Sequence, residues 1–255
     1  MCGNIGVGKS TLIKNLKACP DFPVLTMSED ALDYHPYFDN FKMNKARGNL
    51  VNGTALELEL CAYLTFCDRV NFAKEQNRSK SEGILITERS QFDVAFVFVP
   101  HMVNEGWLSE NQAELLVRLC EVHFVMPDVM IMLDDAPLIS HDRLKAREAG
   151  DRWDEDLYSV RRLSQLQHDH YAGALFYAKL HSTTRNEIPE IYIFNVNGLT
   201  PEQVVMQFKI FINRNVYWVD KKYDLPMDLS RFVHIKTLMT IAAQEDLGTP
   251  TVEVD

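Results

Sequence analysis

The sequence predicts an α/β protein built in three layers, a parallel sheet of about five strands flanked by helices, and three observations carry that reading. Short apolar runs of strand length alternate with longer segments of helical composition, a pattern that folds as a parallel sheet covered on both faces. Residues 3–11 read GNIGVGKST, matching G-x-x-x-x-G-K-[ST], a phosphate-cradling loop that joins a buried strand to a helix. The chain has 255 residues, 46% of them hydrophobic, enough to bury the core of one such domain.

The elements follow in order. After the glycines, STLIKNLKAC carries apolar residues at 12, 13 and 16 with lysines between them, which suits the helix that holds a phosphate loop at its N-terminus. Residues 22–27, FPVLTM, read as a buried strand. Residues 54–76 are rich in helix formers and too long for one strand, so a helix is expected despite an early Leu/Glu alternation. GILIT (83–87) and VMIMLD (129–134) are strands, and between them Ser109 and Gln112 stand at capping-box spacing ahead of a helix. A basic helix is expected over 136–147 and a long one over about 157–180. IYIFNV (191–196) reads as the last strand. Thr200, Pro201 and Gln203 open the helix after it as cap, first residue and box partner. One domain is expected over 1–220, with residues 221–255 as an appended extension.

Composition excludes several classes. A formal charge of −10 is the wrong sign for a protein that tracks a nucleic-acid polymer. No apolar run approaches the roughly 18 residues of a membrane span. The five cysteines, at 2, 19, 61, 67 and 120, include no C-x-x-C pair, so free thiols in a reducing compartment are expected, the cytosol or a mitochondrial matrix. Only Met1 and Cys2 precede Gly3. No supporting strand is therefore expected within the sequence, and the expectation is that the natural N-terminus lies upstream, with any targeting segment.

The loop defines the chemistry. Gly3, Gly6 and Gly8 let backbone N–H groups converge on phosphate oxygens, with Asn4 and Thr11 inside the same motif. Lys9 reaches the outer phosphates, and the Ser10 hydroxyl is placed to hold Mg²⁺. In open α/β sheets reactive groups project from the carboxyl ends of strands. Glu29 and Asp30 stand just past the second strand and Glu88, Arg89 and Ser90 just past the third. A carboxylate at the first place can take a proton from a hydroxyl nucleophile, and one at the second can help hold the metal. Further on, Arg143, Lys145, Arg147 and Arg152 form a basic cluster suited to a lid that closes over ATP, with Arg143 and Arg147 as i,i+4 neighbours.

The order of GNIGVGKST, ERSQFDVAFVF, PDVMIMLD and the Arg-rich stretch ending DRWDED resembles the deoxyribonucleoside kinases, over roughly residues 3–198. That resemblance implies a P-loop kinase fold with a basic lid over about 143–155, ATP and Mg²⁺ as cofactors, and transfer of the γ-phosphate to the 5′-hydroxyl of a deoxynucleoside, commonly by a homodimer. It also implies roles. Arg89 contacts the 5′-oxygen and Glu88 lies near the metal. Phe98 stacks on the base, Glu155 binds the sugar 3′-hydroxyl, and Arg143, Arg147 and Arg152 grip the nucleotide phosphates. The catalytic base falls on Glu29 or Asp30, with Glu29 preferred by residue type.

Departures from the family pattern concentrate at the base. Where a glutamine is usual, the alignment places Cys61 or Ala62, with Glu57 and Glu59 nearby, and a thiol or methyl lacks an amide's paired donor and acceptor. A tyrosine for the 3′-hydroxyl falls on Lys42, with Tyr34 and Tyr37 as substitutes. Arg69 and Asp93 are candidates for a charged pair facing the base, against the plainer reading of structural ions. His168 and His170 are read as surface residues on different faces of a helix, and Asp134 and Asp135 as helix caps. Two alternatives stand beside a nucleoside kinase. One is a monophosphate kinase using Lys42, Lys45 and Arg47. The other is a kinase-like subunit recruited into a larger assembly, as in respiratory complex I.

Overall fold

The computed structural model describes residues 1–20, 22, 24–27, 43, 54–78, 84–122, 127–147, 159–215 and 229–248. Strand β1 (Cys2–Gly3) leads through the phosphate loop into α1 (Lys9–Lys17) and β2 (Val24–Met27). Then come α2 (Thr54–Arg78) and β3 (Ile84–Thr87). Helix α3 is three abutting pieces, Gln91–Asp93, a π-helical turn Val94–Phe98, and Val99–Asn104. The chain continues through α4 (Glu110–Val122), β4 (Met130–Asp134), α5 (Pro137–Arg147), α6 (Val160–Arg185), β5 (Ile191–Asn195) and α7 (Pro201–Asn215). A short 3-10 turn, Leu229–Arg231, precedes β6 (Phe232–His234) and α8 (Ile235–Gly248).

Strands β1, β4 and β5 pair in parallel, as do β2 and β3. Met1 joins the two sets. Its nitrogen donates to the Thr87 carbonyl at 2.7 Å and its carbonyl accepts from the Arg89 N–H at 2.8 Å, the alternating pattern of a parallel ladder. The spatial order is thus β2-β3-β1-β4-β5-β6, and the chain reverses direction across the sheet on either side of β1. That is where an open sheet forms its ligand crevice.

Two expectations are corrected here. The strand ahead of the phosphate loop exists, short as it is, because Cys2 and Gly3 find Met132 and Leu133 as ladder partners. Beyond residue 220, Phe232–His234 pairs antiparallel with β5 and Ile235 is fully buried. The five parallel strands therefore carry a sixth, antiparallel one at the edge, supplied by the stretch expected to be an appendage.

Alternate residues of the central strands settle the layering. Ile131 and Leu133 of β4 join a core with α1 and α7, whereas Met130 and Met132 join one with α3 and α6. Both faces are covered, as a run without polar positions requires. A third cluster lies away from the sheet, between α2, α3 and α4. Caps appear where the sequence places them: Ser109 with Gln112 and Thr200 with Gln203 exchange side-chain and backbone bonds reciprocally. Helix α6 starts later than expected because the Ser159 hydroxyl caps the Arg162 N–H, and it ends at Asn186 in a left-handed conformation. Gly173 lets α6 press onto the π turn of α3, since a Cβ there would sit 2.3 Å from the Phe96 carbonyl oxygen.

Candidate active site

The phosphate loop is held from three sides. Gly3 adopts φ +123°, and a Cβ there would fall 2.4 Å from the Leu133 oxygen, so only glycine allows β1 to approach β4 this closely. The Asn4 side chain donates to the Leu163 carbonyl on α6 at 2.7 Å and accepts from the Ile5 N–H at 2.8 Å. Its amide thus braces the loop from within. Lys9, 5% exposed, donates to the Gly3 and Asn4 carbonyls at 3.1 and 2.8 Å. Gly8, in a left-handed conformation, opens α1 directly into Lys9, Ser10 and Thr11.

The Ser10 hydroxyl donates to Glu88 Oε1 at 3.0 Å, which brings the loop and the end of β3 together as the sequence implied. Arg143 reaches back from α5, its guanidinium donating to the Val7 carbonyl at 3.2 Å and pairing with Asp135 at 2.8 Å. Burial pushes the Asp135 carboxyl up and the charge of Arg143 pulls it down. Asp135 therefore orients an arginine over the loop, and it accepts the adjacent Ala136 N–H rather than capping deeper into α5. Asp134, also expected to cap, instead accepts from Gln167 of α6 at 2.5 Å.

Arg89 stands beside Glu88 but faces another way. Its φ of +60° is left-handed and non-glycine, a conformation that costs about 1–3 kcal/mol and is found at functional sites. Its guanidinium lies 4.5 Å from the centroid of the Phe98 ring and 3.5 Å from Asp93. Asp93 is fully buried and closes a capping box with Ser90. It lies against Arg89, and it is not among the residues that line the neighbouring cavity.

That cavity, about 140 Å³, is bounded by α2, α3 and α6. Phe98, Ala62, Glu59, His101, Trp107 and Arg162 carry its character. Of the alternatives for the missing glutamine, Ala62 lines it. Glu59, 4% exposed and one helical turn earlier on the same face, brings a carboxylate to the wall, whereas Glu57 is exposed. Sequence reasoning missed the polar wall opposite. His101 Nδ1 lies 2.6 Å from Asp169, and Asp169 also accepts from Gln165 at 2.9 Å. Arg162 stacks over Trp107 at 5.0 Å and pairs with Glu105 at 2.9 Å. A signal existed: 163, 166, 169, 170, 173, 174 and 177 form a buried stripe at helical spacing along α6.

The same stripe corrects the reading of the histidines. His168 is exposed, but His170 is buried, donating from Nδ1 to the Leu166 carbonyl at 2.7 Å with its ring edge-on to Phe98. Burial first, then the charge of Arg89, lowers its pKa to about 3. The folded pKa thus lies below the ordinary value near 6.5, so the stabilisation is complete above pH 6.5 and is lost as pH falls toward 3. Across that window the unfolded chain takes up one more proton, and unfolding free energy should fall by up to about 1.4 kcal/mol per pH unit from this group. Urea titrations from pH 7 to 4 should show that His170→Asn removes this slope. An unchanged slope would refute the assignment.

Glu29, Asp30, Arg152, Glu155, Lys42, Lys45 and Arg47 lie outside the described residues, as do the side chains of Arg69 and Arg147. Among the described residues no helix is long and apolar enough to cross a membrane, and no group of three or more His, Cys, Asp or Glu gathers as a metal site.

A parallel sheet reversing at a phosphate loop, with a buried lysine and a serine–carboxylate contact at its mouth, defines a P-loop phosphotransferase. The family comparison is more specific: the deoxynucleoside kinase family matches residues 1–213, and the chain belongs to that family. It is accordingly a kinase that phosphorylates deoxynucleosides with ATP. No curated protein sequence matches it. Among solved structures it is similar to deoxyadenosine kinase from M. mycoides with dCMP and a flexible dCDP bound. That likeness has TM-score 0.60 at 15% identity and covers 83% of this chain and 96% of that one. The same enzyme with dCTP gives TM-score 0.58 at 13% identity over 84% and 97%. At such identities the likeness speaks for the fold. A recruited, kinase-like subunit and a monophosphate kinase are not favoured.

Proposed function

We propose that the chain moves the γ-phosphate of ATP to the 5′-hydroxyl of a deoxyribonucleoside held in the cavity beside Arg89. One observation carries this reading: adjacent residues at the end of β3 serve two neighbouring sites, Glu88 meeting the phosphate loop through Ser10 while Arg89 lies over Phe98 at the cavity. Phosphoryl transfer depends mainly on positioning and electrostatics, and this arrangement supports both. Loop N–H groups and Lys9 would hold the donor phosphates. Arg143, already over the loop, would join Arg147 and Arg152 in gripping those phosphates. Gly8, Thr11 and Arg143 border a groove that also includes Leu199 and Pro201, a place for the remainder of ATP.

Ser10 Oγ and Glu88 Oε1, hard oxygen donors 3.0 Å apart, fit Mg²⁺, which takes one or two protein oxygens and completes its shell with phosphates and water. Once bound, it would neutralise charge on those phosphates. Arg89 would steady the accepting oxygen, and Glu29 or Asp30, in the segment after β2, would take its proton. Phe98 would stack on the base and Glu155 would bind the 3′-hydroxyl. The same reading carries a homodimeric enzyme in a reducing compartment.

The test is phosphoryl transfer by the purified protein with Mg-ATP against the four deoxynucleosides and their monophosphates. Turnover on nucleosides and not on monophosphates is expected. Turnover only on monophosphates, or on neither by folded protein, would overturn the proposal.

A further inference from the structure

The polar wall of the cavity suggests how the acceptor is chosen. We propose that His101, oriented by Asp169, is a specificity-determining residue that selects acceptor bases bearing an exocyclic amino group, adenine, cytosine or guanine, over thymine. This inference rests on the cavity being the nucleoside site.

The two His101 nitrogens have different duties. Nδ1 lies 2.6 Å from Asp169 Oδ2, so the neutral ring carries its proton on Nδ1 and donates it to the carboxylate. Nε2 then offers a lone pair on a residue that lines the cavity. The orientation is over-determined. Asp169 is fixed by Gln165 at 2.9 Å, and the His101 ring packs edge-on to Trp107 at 6.1 Å and 86°. Such support is what a hydrogen bond needs if it is to discriminate between ligands.

Charges around the dyad agree. Glu59 brings a carboxylate to the wall from α2, while Arg162 pairs with Glu105 at 2.9 Å and Arg89 lies 3.5 Å from Asp93. The remaining walls, Leu58, Phe66, Val94, Met102 and Leu166, are apolar. A base that donates through an amino group meets the His101 acceptor. Thymine has no exocyclic amino group and presents the O4 acceptor where cytosine, the other pyrimidine, presents an amino group, so it would leave acceptor facing acceptor at His101, and an unpaired buried polar group is strongly disfavoured.

Isothermal titration of the wild-type protein with the four deoxynucleosides, in the presence of ADP, provides the first readout, and it does not require turnover. Deoxyadenosine, deoxycytidine or deoxyguanosine should bind at least about tenfold more tightly than thymidine. His101→Phe, which keeps an aromatic ring and removes both nitrogens, should shrink that gap to within about threefold while ADP binding is unchanged. Asp169→Asn, nearly isosteric, should narrow it as well by releasing the ring's proton placement. Thymidine binding as tightly as the others in wild type would overturn the inference even if a variant failed to fold. So would a gap that survives His101→Phe. If no deoxynucleoside binds while ADP does, the cavity is not the nucleoside site, and the proposed function fails together with the inference.

Discussion

Replacing Lys9 with alanine is expected to lower kcat/KM for phosphoryl transfer by about a thousandfold or more, because one positioned charge or donor in a water-excluded site is commonly worth 10²–10³ and here a full ammonium is lost. The geometry argues for the upper end. Lys9 is almost fully buried and its Nζ is tethered to the Gly3 and Asn4 carbonyls, so its charge is held in one place. Arg143, which lies over the loop, is committed to Asp135 and the Val7 carbonyl. Lys9→Arg should not rescue, since a planar guanidinium does not fit a slot shaped for an ammonium between two carbonyls. Steady-state kinetics with thermal denaturation as control would decide. Activity within tenfold of wild type, in a protein with unchanged melting temperature, would remove Lys9 from the chemistry.

Arg89→Met should damage both activity and stability, and the two losses should separate. Activity is expected to fall by about 10²–10³ in kcat/KM if the guanidinium steadies the accepting oxygen. Stability should fall by about 3–5 kcal/mol at neutral pH, because Asp93 would remain buried without its counter-charge. Burial pushes the Asp93 carboxyl up while Arg89 holds it down. Removing Arg89 lets the pKa climb further, so the variant should recover part of its stability as acid protonates Asp93. Adding Asp93→Asn should restore most of the stability and none of the activity. A double variant that regained turnover would show that Arg89 acts only as a structural ion.

Much of this molecule is legible along the chain. The phosphate loop is a local object: three glycines, a lysine and a serine within nine residues bring their own conformation with them. The caps at Ser109 and Thr200 are equally local, and the alternation of strands and helices announces a covered parallel sheet. The E-R-S step at the end of β3 could be assigned to the mouth of the site because strand ends in such sheets converge there.

What escaped depends on contacts between distant segments. His101 and Asp169 are 68 residues apart, and nothing near either names the other. Asp93 carries the residue type of a base-facing group, and only the backbone turn at Ser90 and the approach of Arg89 make it a brace. His170 looked like half of a surface pair until α6 packed on α3. Two strands were underestimated for the same reason: Cys2–Gly3 and Phe232–His234 are too short to show a period, and they are strands because β4 and β5 offer them ladder partners. The sequence by itself determined the fold class, the phosphate loop and the family, since each is encoded in local pattern and spacing. The tertiary structure alone decided which carboxylates and histidines line the cavity beside Arg89 and which are spent holding Arg89 and Arg143, because burial and pairing arise only when separate helices close on one another.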